Sequence, residues 1–154
     1  MARPISCGIL LYRRGEAGLE VLLAHPGGPY YVDRDAGHWS IPKGEADGVE
    51  SPLDVARREF REETGHPVPD GPAIELGSII QKGGKTVHAW AVEGDLDPDT
   101  AHSNEFELEW PRRSGRRVAF PEIDRVAWFV LGEARHRLKP TQLPLLDRLA
   151  TIIA

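Results

Sequence analysis

The chain has 154 residues, 40% of them hydrophobic and 28% charged, and a formal net charge of −5 at pH 7. This length suits one domain with a sizeable core, and the negative charge disfavours a sequence-independent nucleic-acid binder, which needs a basic face. No apolar run approaches the roughly 20 residues that cross a bilayer, so no membrane partner is expected. The single cysteine, Cys7, lies in an apolar run and cannot form an internal disulfide. Together these features favour a cytoplasmic protein.

The first third of the chain predicts two strands followed by a loop. Apolar runs at 5–12 and 19–24 are expected to be strands, joined by a polar turn that contains glycine. Residues 25–38 hold several prolines and glycines and are expected to form a loop. A short extended piece at 39–42 then leads into the next element.

Residues 51–64 carry the clearest helix pattern in the chain. Ser51 suits the N-cap and Pro52 suits the first helical turn. Gly65 suits the C-terminal end, where a left-handed residue commonly stops a helix. The positions that repeat along one apolar face, and should pack against the core, are Leu53, Ala56 and Phe60.

The second half of the chain predicts further strands and a closing helix. The predicted strands are 74–81, 85–92, 106–110 and 125–131, and the predicted helix is 143–153. An acidic loop is expected at 94–104 and a basic turn at 111–117. Strands interleaved with two helices predict an α/β or α+β sandwich.

Three carboxylates of the predicted helix lie on one face. At 100° per residue, Glu59, Glu62 and Glu63 fall within an arc of roughly 100°. Glu59 and Glu63 repel each other at i, i+4, by a few tenths of a kcal/mol, and a divalent cation would turn that repulsion into binding, because Mg²⁺ prefers carboxylate oxygens. Taken alone, the run is equally explained by a solvated face whose charges are offset by neighbouring arginines.

The spacing around this helix resembles the signature of the Nudix (MutT-like) family, G-x5-E-x7-R-E-U-x-E-E-x-G-U, where U is a bulky aliphatic or aromatic residue. Every fixed position is occupied, by Gly44, Glu50, Arg58, Glu59, Glu62, Glu63 and Gly65. Phe60 fills the first U position, whereas His66 stands at the last, with Val68 two residues later as a substitute apolar contact. We expect this departure to affect how the helix end packs and not the metal site.

The resemblance implies a fold as well as a site. It predicts a single Nudix domain over residues 1–154, with the signature box at 44–66. The implied fold is the Nudix-type α/β/α sandwich around a mixed β-sheet. The flanking pattern fits, because strands precede the box and a closing helix ends the chain.

The resemblance further implies that the box holds Mg²⁺ or Mn²⁺ against a diphosphate. Glu59 and Glu63 would be the main carboxylate ligands, and Glu62 a further ligand or the group that orients the attacking water. Gly44 would form a tight turn whose backbone carbonyl approaches the metal. A bound cation would neutralise charge on the phosphate oxygens and lower the pKa of the bound water.

Catalysis is assigned on the same basis to residues of the box, namely Glu62, Glu59, Arg58 and Glu50. Glu50 and Arg58 resemble an ion pair that orients the helix against the preceding loop, and a plain surface carboxylate is the alternative for Glu50. A general base is required, and Glu62 is the first choice. The alternatives outside the box are Glu105, Glu107 and Glu122.

Several residues outside the helix are candidates for substrate contacts. Lys43 directly precedes Gly44, and its ammonium group could meet the substrate phosphates as a point charge. Three histidines and three aromatic residues could line the pocket or stack on a base, with structural packing as the alternative for each. These are His25, His38, His88, Tyr30, Tyr31 and Trp39.

The tripeptide Pro42-Lys43-Gly44 narrows the substrate class. It resembles the form found in Nudix hydrolases of diadenosine polyphosphates, of diphosphoinositol polyphosphates and of RNA 5′ ends, whose substrates share a long and highly charged phosphate chain. We therefore expect a small nucleotide or polyphosphate substrate, with dinucleoside polyphosphates favoured. The alternatives are oxidised nucleoside triphosphates, nucleotide sugars, RNA 5′ ends, or a module that senses nucleotides without cleaving them. The oligomeric state is open, with a homodimer as one alternative.

Overall fold

The computed structural model describes residues 5–153, so the ends of the predicted domain, residues 1–4 and 154, lie outside the described residues. The strands are β1 (Ile5–Gly15), β2 (Gly18–Pro26), β3 (Lys43–Glu45), β4 (Ile74–Ile80), β5 (Thr86–Glu93), β6 (Glu105–Glu109), β7 (Arg117–Pro121) and β8 (Ile123–Val130). The α-helices are α1 (Pro52–Thr64), α2 (Leu131–Arg137) and α3 (Leu143–Ile152). Among residues 5–153, no helix has the length and apolar character needed to cross a membrane.

The main sheet is mixed and has the strand order β4-β5-β1-β2-β8. β1 runs parallel to β5 and antiparallel to β2. The start of β1 also pairs with the short β3, so that Cys7 lies opposite Gly44. This pairing fixes the first residue of the box against the central strand of the sheet.

Alternate residues of β1 enter two different hydrophobic layers, as the period of a strand requires. Leu10 and Tyr12 pack with side chains of α2 and α3, including Leu146. Ile9 and Leu11 pack on the opposite face with side chains of α1. The predicted α/β/α sandwich around a mixed sheet is thus confirmed, and α1 holds the second face of the sheet.

Helix α1 has the predicted ends but a slightly different buried face. The Ser51 hydroxyl accepts a hydrogen bond from the Asp54 backbone N–H at 3.3 Å, and Gly65 stops the helix at a φ of 77°. Val55 is fully buried beside Ala56 and Phe60, whereas the predicted Leu53 is only partly buried. The carboxylate face therefore points away from a tightly packed apolar face.

The structure differs from the prediction after residue 110. The predicted turn 111–117 ends early, because Arg117 pairs with Glu109 as the first residue of β7. The predicted strand 125–131 is β8, which begins at Ile123, and its last predicted residue, Leu131, instead opens α2.

Helix α2 was not predicted, because it has only seven residues and includes Gly132, a poor helix former. Tertiary contacts stabilise it: Ala134 is fully buried. The Nε of Arg137 also donates to a carboxylate oxygen of Glu133 at 2.7 Å across one turn.

Strands β6 and β7 form a separate two-stranded sheet that we call the arm, residues 105–121. Side chains alternate between its faces, and one face carries Phe106 opposite Phe120 and Leu108 opposite Val118. The other face carries carboxylates, including that of Glu107. The arm is therefore amphipathic and stands apart from the main sheet.

Candidate functional site

A tight loop leads from β3 into α1 and carries Glu50 against the helix. A carboxylate oxygen of Asp47 accepts the backbone N–H groups of Val49 at 2.8 Å and Glu50 at 3.1 Å. These bonds hold the pKa of Asp47 below its usual value, because they favour the charged carboxylate. The Nε of Arg58 donates to Glu50 at 2.8 Å. The structure thus contains an ion pair that joins the loop to the helix.

Arg58 contacts two further carboxylates of the same helix. Its Nη1 donates to an oxygen of Glu59 at 3.1 Å and to an oxygen of Glu62 at 3.3 Å. Hydrogen bonding, first of all to Glu50, raises the pKa of Arg58. One planar guanidinium therefore orients three carboxylates of the box, as its fork of donors allows.

Glu63 has a different environment from the other carboxylates of α1. Among the described residues, the donor that its carboxylate meets is the backbone N–H of Lys43 at 3.3 Å. Burial raises the pKa of Glu63 to about 8, and the carboxylates of Glu59 and Glu122 raise it further. In the absence of a bound divalent cation, a pKa of about 8 leaves this group largely protonated at neutral pH.

Glu59 packs against Gly44 at the start of the box. A Cβ at position 44 would overlap the Glu59 carboxylate, so a larger residue there would displace it. Burial raises the pKa of Glu59, and the neighbouring Glu62 carboxylate adds to this effect. The glycine therefore leaves the space that this carboxylate occupies.

These residues fit a hard divalent cation in their chemistry. Glu59, Glu62 and Glu63 offer carboxylate oxygens, which Mg²⁺ prefers. The environment of Glu63 disfavours its charged form, and a bound cation would restore the carboxylate. Within residues 5–153, no three His, Cys, Asp or Glu side chains already stand together as a metal cluster. Glu59 and Glu62 contact Arg58, whereas Glu63 contacts the backbone N–H of Lys43.

A cavity of about 120 Å³ lies beside Glu63 and is lined by Lys43, Lys139, His38 and Ser40, among others. Burial lowers the pKa of both lysines, because it disfavours the charged ammonium. The charge of Lys139 lowers the pKa of Lys43 further. Two poorly solvated cations therefore face one cavity next to a buried carboxylate.

Lys139 was missed in the sequence. It follows α2, which was not predicted, and its local sequence looks like a basic surface segment. Only the tertiary fold brings it to the site: its backbone N–H donates to the Trp39 carbonyl at 2.8 Å, and Trp39 pairs with Leu138 in a parallel bridge. A lysine before a proline at the end of a helix would have been a weak signal for this position.

The other candidates divide between structural packing and the edge of the site. Trp39 is 1% exposed in the core, and its indole N–H donates to Asp35 at 2.7 Å, so it cannot stack on a base.

The three candidate histidines differ in their surroundings. His25 is buried, and its Nδ1 lies 2.7 Å from an Asp124 oxygen. His88 stacks on Trp90 and bonds to Glu75. His38 is the histidine of the three that lines the cavity.

The three alternative general bases lie at different places relative to the carboxylates of α1. Glu105 and Glu107 lie exposed on the arm. Glu122 lies near enough to Glu63 for its charge to raise that group's pKa. The backbone N–H of Asn104 donates to the carbonyl of Glu62 at 3.1 Å, which attaches the base of the arm to α1.

Solved structures with the same fold include several Nudix proteins. An Ap4A hydrolase from C. elegans, in a binary complex, aligns with a TM-score of 0.65 at 19% identity and covers 96% of this chain and 97% of that one. The Nudix domain of Shewanella oneidensis NrtR, complexed with ADP ribose, aligns with a TM-score of 0.68 at 16% identity, covering 100% and 90%. The fold is therefore that of a Nudix protein.

Comparison of the amino-acid sequence with known proteins also indicates the Nudix family. The NUDIX domain model matches residues 2–149. A bis(5′-nucleosyl)-tetraphosphatase [asymmetrical] from Rattus norvegicus is 32% identical over 114 residues, which is 66% of this chain and 74% of the relative. The protein of the same name from Mus musculus is 31% identical over 99 residues, 57% and 63% respectively. This chain belongs to the Nudix family and is a hydrolase that acts on pyrophosphate bonds.

Proposed function

We propose that this Nudix hydrolase cleaves dinucleoside polyphosphates, with Mg²⁺ or Mn²⁺ as its cofactor and one Nudix domain over residues 1–154. The observation that carries the proposal is the pair of half-buried lysines, Lys43 and Lys139, at one cavity beside Glu63. Two ammonium groups at one cavity suit a long, highly charged phosphate chain better than a single phosphate. The names of the rat and mouse relatives, both tetraphosphatases, agree with this substrate class.

The lysines act as the phosphate-binding groups in this proposal. Burial removes part of the water around each ammonium group and lowers the pKa of both, and the charge of Lys139 lowers the pKa of Lys43 further. A phosphate oxygen between them would relieve the repulsion and restore the ammonium form of both. Lysine is suited to this role because it binds phosphate as a compact point charge.

The carboxylates of α1 are proposed to hold the cation. Glu59, Glu63 and Glu62, with the carbonyl of Gly44, would be its ligands. When bound, a divalent cation neutralises charge on the phosphate oxygens and lowers the pKa of a coordinated water. Arg58 holds Glu59 and Glu62 in place through its hydrogen bonds, and Glu50 fixes Arg58 in turn.

Glu62 is the proposed general base. It is more exposed than Glu59, and its hydrogen bond from Arg58 fixes its direction. It would accept a proton from the water that attacks phosphorus, and so hold the oxygen in line with the bond that breaks. Glu122 is the alternative, because it lies close to Glu63 at the opposite side of the site.

A substrate panel with purified protein tests the proposal. It compares diadenosine tetraphosphate, ATP, an oxidised nucleoside triphosphate, ADP-ribose, a diphosphoinositol polyphosphate and a 5′-triphosphorylated RNA, each with Mg²⁺ and with excess chelator. We expect the highest kcat/KM for the dinucleoside tetraphosphate and no hydrolysis in chelator. A higher kcat/KM for any other class would overturn the substrate assignment, and full activity in chelator would overturn the cofactor.

A lysine variant tests the observation that carries the proposal. Lys139→Gln removes the charge and keeps a flexible polar side chain that is one atom shorter, and it should raise KM for the tetraphosphate about tenfold. Arg14→Gln removes an exposed charge at the β1–β2 hairpin and serves as the control. Equal KM values for both variants would contradict a phosphate-binding role for Lys139.

A further inference from the structure

The arm is attached to the rim of the candidate site. At its base, the backbone N–H of Glu122 donates to the Asn104 carbonyl at 2.8 Å, and Asn104 donates to the carbonyl of Glu62. The backbone N–H of Gly27 donates to the Glu122 carbonyl, also at 2.8 Å. The loop that follows β2 and the arm therefore both extend from the place where the carboxylates lie.

A row of rings leads from the cavity to the far end of the arm. His38 lines the cavity beside Glu63, and its ring centroid lies 6.5 Å from that of Tyr31. The next residue, Tyr30, packs edge-on against Trp110 at the end of β6, with centroids 5.4 Å apart. Tyr30 and Tyr31 are 50% and 43% exposed, so their ring faces are open to a ligand.

Arg116 stands on the same face of the arm as these rings. The backbone N–H of Trp110 donates to the carbonyl of Arg116 at 2.9 Å, which makes the two residues cross-strand partners. Partners in an antiparallel pair share a face, and this is the face that packs against Tyr30. Arg112 lies in the turn next to it.

The charge of this end of the arm is not neutralised within the described part of the chain. Arg117, on the opposite face, forms an ion pair with Glu107 at 3.5 Å. Across residues 5–153, no carboxylate lies within ion-pair distance of Arg112 or Arg116, whereas Arg58 and Arg137 are paired with carboxylates. Two free guanidinium groups beside exposed rings suit a ligand that has both phosphates and a base.

The length of the arm indicates which kind of phosphate- and base-containing ligand could reach these guanidinium groups. Five residues per strand place its end about 17 Å from its base. A nucleotide whose phosphates occupy the cavity beside Glu63 would need a second nucleotide, linked through the same phosphate chain, to reach this end. The exposed apolar residues there are interleaved with arginines, which disfavours a second copy of this chain as the occupant.

We propose that Tyr30, Trp110, Arg116 and Arg112 form a second nucleotide subsite, which binds the distal nucleotide of a dinucleoside polyphosphate. Its base lies against the exposed ring of Tyr30, and its phosphate meets the guanidinium groups. The inference rests on the proposed function and adds a specificity element to it. The arm selects substrates that continue beyond the phosphates held by Lys43 and Lys139.

Two variants on one face of the arm and a matched variant on the other test this subsite. Arg116→Gln and Tyr30→Leu should each raise KM for diadenosine tetraphosphate about tenfold and leave kcat unchanged. Arg117→Gln removes the same charge one residue away, on the face that points elsewhere, and should change neither constant. The inhibition constant of ATP as a competitor should stay the same in all three, because ATP lacks the distal nucleotide.

Each outcome bears on a different claim. Unchanged KM in Arg116→Gln and Tyr30→Leu, or an equal loss of ATP binding, would overturn the subsite. A loss confined to 5′-triphosphorylated RNA would overturn it in favour of an RNA-binding arm. A wild-type protein that hydrolyses other pyrophosphates and no dinucleoside polyphosphate would overturn the proposed function itself, and the subsite with it.

Discussion

Helix α1 and the arm both carry many charged side chains, but these side chains have opposite environments in the two regions. In α1, Arg58 ties three carboxylates together, and Phe60 anchors the other side of the helix in the core. On the arm, most side chains are exposed, and Arg116 has no carboxylate partner in the described part of the chain. Arg58 of α1 is therefore paired with carboxylates of the box, whereas Arg116 of the arm has no carboxylate partner within residues 5–153.

We interpret this difference between α1 and the arm as a division between the proposed catalytic site and the proposed substrate-recognition surface. In the proposed mechanism the groups that hold a cation and a water lie on α1, where packing of Phe60 and the hydrogen bonds of Arg58 would keep them in position. Groups that select a substrate can lie on projecting elements, where exposed charge raises the rate of encounter with an anion. Changes in α1 should therefore affect turnover or folding, whereas changes in the arm should affect substrate choice.

The largest effect is expected for Glu63→Gln. The substitution keeps the shape of the side chain and removes the negative charge that would face the cation, and kcat should fall on the order of a thousandfold. Because a neutral amide is easier to bury, the metal-free variant should be no less stable to heat than the wild type. Steady-state kinetics and thermal denaturation measure the two effects, and a variant with wild-type turnover would refute the metal-ligand role.

Packing gives the next contrast between the two regions. Phe60→Ala empties a fully buried site and should cost about 3–5 kcal/mol of unfolding free energy. Leu108→Ala, on the half-exposed face of the arm, should cost about 1 kcal/mol or less. Urea denaturation compares them, and similar losses would show that the arm is part of the folding core.

The buried carboxylate predicts a pH dependence of the metal-free protein. The pKa of Glu63 is raised from 4.5 to about 8, so between these values the folded state binds more protons than the unfolded state. The stability due to this group is present below pH 4.5 and is lost as the pH rises towards 8. Thermal midpoints measured with chelator should fall over this window. Mg²⁺ should offset the fall, and Glu63→Gln should flatten it; a midpoint independent of pH would count against the burial of this charge.

Arg58→Lys should have the smallest of these effects. A single ammonium group cannot reproduce the bonds that the guanidinium makes to Glu50, Glu59 and Glu62. Loss of such orienting contacts typically costs about 10- to 100-fold in metal affinity or activity. Metal titrations followed by activity would detect it as a higher Mg²⁺ requirement, partly rescued at high Mg²⁺. An unchanged requirement would mean that the carboxylates are held without Arg58.

The sequence predicted elements whose pattern is local. The caps of α1 at Ser51 and Gly65 follow from neighbouring residues, and the structure confirms them. The predictions failed where a distant partner decides the outcome. Strand β7 exists because Arg117 finds Glu109 across the arm, and α2 persists because Ala134 is buried against the sheet.

The sequence alone identified the family and the carboxylate helix, because the spacing from Gly44 to Gly65 is a local property of one contiguous segment. Tertiary structure decided what surrounds that helix. Lys139 joins Lys43 at the cavity only because a bridge aligns Leu138 with Trp39, about 100 residues earlier in the chain. Such pairings depend on how strands and loops pack in three dimensions, and no periodicity or spacing along the chain encodes them.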